Sequence, residues 1–281
     1  MVEAAAVTAT LVVADWFSGA LLLSMALPLG AMLLRRPGDV ECEPGLVSTA
    51  VYRRVDVVGI AAVYAVFGSM GLANATRGAN EIEVSGVAAS AVILGLLGAM
   101  VMMLMTARCG TAAGWGLRSP ASARAWWLAP GAVGLVWIVC ILAMTVGYAD
   151  WLRGAGFPEQ QAVTTLAESQ DPVLVVLLAF TAVVVAPVAE EFVFRGYLYP
   201  ALKARAGVWC AGLGSSLLFA LAHGSVFAFL PLWILGGLLV WAYERSGSLW
   251  VPVAAHALFN LATVCIQLAG RWFPGLLEAS P

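Results

Sequence analysis

Apolar residues run together along this chain in windows of roughly 20, the length a helix needs to cross a bilayer core, and charged or glycine-rich breaks separate the windows. The windows cover residues 12–34, 56–75, 85–106, 126–148, 172–199, 208–223, 226–243 and 249–268, and the fifth is longer than one span requires. The pattern predicts an all-α, polytopic membrane protein of about eight transmembrane helices. No internal repeat is evident and no connection is long enough to fold separately, so 1–281 reads as a single integral membrane domain.

Composition agrees: 62% of the 281 residues are hydrophobic and 11% charged, values outside the range of soluble globular domains. The bilayer is the expected partner, and nothing suggests a nucleic-acid surface. The net charge of -2 says little, because the sidedness of basic residues is what orients a membrane protein. Arg35, Arg36, Arg53 and Arg54 flank the first connection, Arg108, Arg118 and Arg124 the third, Lys203 and Arg205 the fifth, and Arg245 the seventh. The alternate connections and the C-terminal end hold only Arg77, Arg153 and Arg271, beside Glu81, Glu83, Asp150, Glu159, Glu168 and Asp171. Both termini are therefore expected outside. Glu3 and Asp15 precede or open the first apolar run where a cleaved signal would be basic, so that run is read as a retained span. Arginine makes up every basic residue but Lys203, which with abundant Ala and Gly suggests a bacterial inner membrane.

Trp126, Trp127, Trp151, Trp209, Trp241, Trp250 and Trp272 fall near window ends, as an interfacial belt would place them, whereas Trp137 and Trp233 fall mid-span and are expected to pack between helices. Cys42, Cys109, Cys140, Cys210 and Cys265 are scattered and read as small buried fillers. In the connection from Asp150 to Asp171, Phe157-Pro158-Glu159 could start a short interfacial helix, a lid or a solvated loop.

Chemistry concentrates in the last four spans. Glu190, Glu191 and Arg195 end an otherwise uncharged apolar stretch, where ionisable groups are costly and mark functional sites. The chain has two histidines, and both lie in apolar runs: His223, four residues after Phe219, and His256, four before Asn260. Glu191 and Arg195 are spaced for an intrahelical ion pair. Glu190, turned about 100° from its neighbour, is free to face His223, and together they have the composition of a general base for water. His256 and Asn260 offer N–H donors for an oxyanion, so the set fits amide hydrolysis by activated water without a Ser or Cys nucleophile. Phe194, one turn from Glu190, and Phe219 are candidates to line the site. Asp15, near a span end, is read as structural.

Glu190-Glu191-x-x-x-Arg195-Gly196, Phe219-x-x-x-His223 and His256-x-x-x-Asn260, in this order, resemble the signature of the CAAX-protease and bacteriocin-processing family of intramembrane glutamic endopeptidases. The resemblance covers roughly 172–262, the expected catalytic helices; residues 1–150 match only as apolar helices. It implies an eight-helix core with the active site between the C-terminal four, Glu190 and His223 activating water, His256 and Asn260 holding the oxyanion, and Glu191 with Arg195 in support. The implied substrate is a membrane-associated protein or peptide, whether prenylated, a peptide precursor or a C-terminal anchor, and no cofactor is implied. Alternatives are a zinc-dependent intramembrane protease, although H-E-x-x-H is missing, a non-enzymatic immunity or binding protein, and a proton-coupled transporter.

One expectation strains the assignment. If His223 lies fifteen residues past a span start at Val208, it sits about 22 Å across, while Glu190 would lie near the cytoplasmic end of its own span. Upright ideal helices would hold the two apart; a helix starting outside the hydrocarbon, a tilt, or a break near Gly212, Gly214 or Gly224 would be needed.

Overall fold

The computed structural model describes residues 2–34, 45–76 and 82–272. Arg35, Arg36, Cys42, Arg77 and Glu81 lie outside the described residues, as do the side chains of Glu3 and Trp272. All regular structure in the described residues is helical.

Helices α1 (Val2–Leu34), α2 (Asp56–Thr76) and α3 (Val84–Cys109) expose Leu22, Leu33, Val58, Ile93 and Leu96 on their outer faces, as spans in contact with lipid must. At one end α2 and α3 are tied by charge. The buried Asp56 carboxylate reaches back to the Arg53 N–H (2.6 Å), accepts from the Tyr197 hydroxyl (3.1 Å) and pairs with Arg108 in the last turn of α3. Gly110, at φ 74°, ends α3 in the left-handed conformation that favours glycine. Two 3₁₀ turns, Ala112–Trp115 and Ala123–Trp127, lead into α4 (Leu128–Thr145).

The connection after α4 carries α5 (Tyr148–Gly154) and α6 (Gln161–Glu168). The second is amphipathic, buries Leu166, and packs on the following helix and the last one. It begins beyond Pro158, so a short helix does form in this connection, later than Phe157-Pro158-Glu159. Asp171 then caps α7 (Pro172–Phe180), its carboxylate accepting from the Val173 N–H at 2.8 Å, with Pro172 at the first turn where its missing N–H costs nothing. A π turn (Thr181–Val185), α8 (Ala186–Glu191) and a second π turn (Phe192–Leu198) follow without interruption into α9 (Tyr199–Ala222), and α10 (Val226–Ser246) and α11 (Trp250–Trp272) complete the chain.

Seven helical stretches among the described residues are long and apolar enough to cross a membrane, and one of them, Pro172–Ala222, has 51 residues. Gly207, at φ 79° and ψ 171°, folds that stretch back on itself and makes two passes of one. About eight passes result. The fifth window was expected to end at Tyr199, with Lys203 and Arg205 in the connection; instead helix continues to Ala206. Lys203 is 2% exposed, with Nζ 2.7 Å from Glu244 Oε1 and 3.1 Å from the Val47 carbonyl. A hydropathy window stops at a charge, but a buried carboxylate allows the helix to carry the ammonium on.

That extension removes the depth mismatch. Glu190 lies 17 residues before Gly207, about 25 Å along the helix, and His223 lies 16 residues after it, about 24 Å back. The hairpin brings both to one level. The cysteine expectation fails in part: Cys109, Cys140 and Cys210 are half-buried and Cys265 is exposed, since a lipid-facing position tolerates a small apolar thiol. The belt tryptophans Trp126, Trp127, Trp151, Trp209, Trp241 and Trp250 are all exposed, and Trp137 packs on Phe259 with ring centroids 5.9 Å apart.

Around this hairpin, α9 packs against α1, α2 and α10, while α3 lies on α8. Gly98 permits that last contact: a Cβ there would stand 2.9 Å from Ala189 Cα. Gly98→Leu is expected to overpack this seam and lower stability by about 1–3 kcal/mol in a detergent thermal melt. An unchanged melt would show that α3 does not hold α8 in place.

Candidate active site

Two π turns bracket α8, and they determine how its acids are presented. Turns of this kind widen the helix, shift its side-chain register and recur at functional sites. The first one has a local cause. Pro187 has no N–H, so in the π register the carbonyl five residues back, Ala182, has no main-chain donor. Asn260 of α11 supplies the missing donor, its Nδ2 lying 2.7 Å from the Ala182 oxygen. The second π turn rests on Gly196, where a Cβ would meet the Trp115 ring at 2.7 Å. Trp115 is fixed by its Nε1–H to Thr106 Oγ1 (3.1 Å) and stacks edge-on against Phe192.

Glu191 is fully buried. Its Oε1 accepts from Arg195 Nη1 at 2.8 Å and lies 3.0 Å from His256 Nδ1. Arg195, 1% exposed, also donates through Nη2 to the Gly236 carbonyl of α10 at 2.9 Å, and its guanidinium stacks over Phe219 with 4.5 Å between Cζ and the ring centre. The Phe219 ring in turn meets both imidazoles edge-on, His223 at 5.1 Å and His256 at 5.4 Å between centroids. One aromatic ring thus touches the cation and both histidines.

Glu190 stands apart from that network. Its Oε2, like Glu191 Oε2, is buried without a hydrogen-bond partner, and it alone faces two imidazoles, 4.0 Å from His223 Nε2 and 4.0 Å from His256 Nε2. These separations are too long for direct hydrogen bonds and short enough for one bridging water. Both histidines turn their other nitrogen to an oxygen acceptor: His223 Nδ1 is 2.8 Å from the Phe219 carbonyl, and His256 Nδ1 faces Glu191. Those acceptors assign the proton to Nδ1 in each ring, which leaves the two Nε2 atoms facing Glu190.

Glu190, Glu191, Arg195, His223, His256 and Phe219 are thus together, on four elements. His223 reaches the site as the first residue past α9, just before Gly224, whose φ of 63° turns the chain toward α10. Phe194 does not line an open face: it is 1% exposed, packed edge-on between Phe67 and Phe219. Asn260 is anchored to the Ala182 carbonyl. Three supporting groups escaped the sequence reading. The Gly236 and Ala182 carbonyls left no side-chain signal, although Pro187 inside an apolar helix marked the second; Trp115, a lone aromatic in a glycine-rich connection, was visible but unused. Among the described residues, no three His, Cys, Asp or Glu side chains are arranged to hold a metal ion.

Residues 172–262 match the family model for Type II CAAX prenyl endopeptidase Rce1-like proteins. The chain is 32% identical over 92 residues to the Bacillus subtilis protein named "Putative membrane peptidase YdiL", covering 33% of this chain and 38% of that one. It is 36% identical over 99 residues to the membrane-embedded CAAX protease MroQ of Staphylococcus aureus, covering 33% and 40%, and 30% identical over 130 residues to a 24.3 kDa protein of Escherichia coli, covering 44% and 60%. The alignments therefore span between 38% and 60% of the relatives' own lengths. No solved structure matches the chain.

Arg195→Met would leave the Glu191 carboxylate buried with only an imidazole beside it. The expected loss is about 3–5 kcal/mol in a detergent thermal melt, with much of it regained in the double variant Glu191→Leu/Arg195→Met. Additive losses would show that the two charges do not compensate one another.

Proposed function

We propose, from the Rce1-like segment 172–262 and the arrangement around Glu190, that this integral membrane protein is an endopeptidase of the glutamic type, cutting a peptide bond of a membrane-associated protein or peptide with an activated water. The observation that carries the reading is the unpartnered, buried Glu190 Oε2 at equal distance from two Nε2 atoms. A buried acceptor left without a partner is costly, and a water between Glu190 and His223 satisfies it at the point where a nucleophile is needed.

In this mechanism the water donates one hydrogen bond to Glu190 and the other to His223 Nε2. As its oxygen attacks the carbonyl carbon of the scissile bond, Glu190 takes the proton and the carbonyl oxygen becomes an oxyanion. His256 donates to that oxyanion from Nε2 when its ring carries both protons, with Glu191 accepting from Nδ1. Asn260 contributes the Nδ2 hydrogen that Ala182 does not use. Collapse of the tetrahedral intermediate breaks the C–N bond, and the proton on Glu190 passes to the leaving nitrogen, giving an acid and an amine. Arg195 and Glu191 act as positioning residues, because neither touches the reacting atoms. The chemistry is complete without a metal. Both termini lie outside in this reading, in a bacterial inner membrane.

Glu190→Gln and His223→Ala in purified, liposome-reconstituted protein are each expected to lower peptide hydrolysis by about 10²–10⁴-fold with folding intact, as monitored by gel filtration and circular dichroism. Substrates come from mapping new termini in membranes with and without active protein. Full activity in Glu190→Gln would refute the mechanism; activity lost to a chelator and restored by zinc would establish the metal-dependent alternative.

A further inference from the structure

A groove of about 750 Å³ lies between α9 and α10, outside the site described above. Trp209 and Gly212 of α9 line it with Trp233, Gly237 and Trp241 of α10, and Arg245 stands at one end. Its floor lacks side chains at Gly237, where an added Cβ would meet nothing within 4 Å. From Trp233 to Arg245 the groove follows twelve residues of helix, about 18 Å. That is close to the hydrocarbon depth of one leaflet, half of a core about 30 Å thick. A transmembrane helix would need a contact surface running the full thickness, whereas a lipid chain needs one leaflet.

Charge at the Arg245 end specifies the head. Glu244 is committed to Lys203 and to the Tyr199 hydroxyl, at 2.7 Å each. Arg245 is exposed, lies 5.9 Å over the Trp241 ring, and has no carboxylate partner among the described residues. Arg118, outside the groove lining, reaches the C-terminal end of α10, its Nε donating to the Gly247 carbonyl at 3.1 Å. Glu244 also lines the groove, but Lys203 neutralises it, and Arg245 is the charge left over there. Exposed Trp209 and Trp241 flank it as residues of the headgroup region do.

We propose that this groove is a specific site for a phospholipid with an anionic headgroup, one acyl chain lying along α9 and α10 and the phosphate at Arg245. The acyl chain lies on Gly237, the residue after Gly236, whose carbonyl holds Arg195, so the lipid borders the helix segment that supports the site. The assignment does not depend on the proteolytic reading.

The protein is reconstituted in vesicles of equimolar dioleoylphosphatidylglycerol and dioleoylphosphatidylcholine, re-extracted in mild detergent, and examined by native mass spectrometry. Wild type is expected to retain phosphatidylglycerol selectively. Gly237→Trp, which fills open space, is expected to lose that lipid while eluting as the folded protein; Gly237→Leu gives the same readout should the larger side chain disturb folding. Arg245→Gln is expected to lower the preference for phosphatidylglycerol by about fivefold, one basic residue's worth of headgroup attraction. Retention of the two lipids in their vesicle ratio by wild type would mean annular lipid only and would overturn the proposal. So would undiminished phosphatidylglycerol retention by both Gly237 variants.

Discussion

The Glu191 carboxylate is the constraint on which the C-terminal half of this protein depends. A charge held at 0% exposure in an apolar bundle costs several kcal/mol unless its partners meet it with good geometry. Here the partners come from different elements: Arg195 from the second π turn and His256 from α11, both on the same oxygen. Arg195 carries the connection further, to the Gly236 carbonyl of α10. Partners for one oxygen of this buried anion therefore draw three helices together, and that convergence places the His256 ring with its Nε2 toward Glu190.

With Glu191 engaged, Glu190 becomes the group left over. Two adjacent acids on a regular helix point about 100° apart, and the bundle uses that angle to turn one carboxylate to Arg195 and His256 and the other toward the two Nε2 atoms. The π turns on either side keep this short α8 segment in a register that ordinary α-helix would not give. Each turn is held from outside, the first by Asn260 on the carbonyl that Pro187 cannot serve, the second by Trp115 against the bare backbone of Gly196. Gly98 of α3 closes the back of α8. The N-terminal helices, outside the matched segment 172–262, thus form the wall against which the site is built.

Much of this was legible in the residues. Apolar windows bounded by charge gave the helices, because a span of about 20 residues is a length requirement independent of partners. Glu190, Glu191, Arg195, His223 and His256 stood out because each is expensive where it sits. Less legible was the point at which charge and helix part company. Lys203 read as the edge of a connection, yet a carboxylate 41 positions away keeps it inside the helix, and only that contact moves the turn to Gly207 and brings His223 level with Glu190.

The sequence by itself therefore determined the all-α membrane architecture, the spacing of the ionisable residues and the intrahelical pair of Glu191 with Arg195, all properties of hydropathy and of neighbours four residues apart. Tertiary structure decided which imidazole nitrogen faces which oxygen, that His256 shares Glu191 with Arg195, that Asn260 closes a gap left by a proline, and that Phe194 is core. These depend on distances between groups from 25 to 127 residues apart in the chain, and such distances are set when buried charges, rings and unpaired carbonyls find partners across helices.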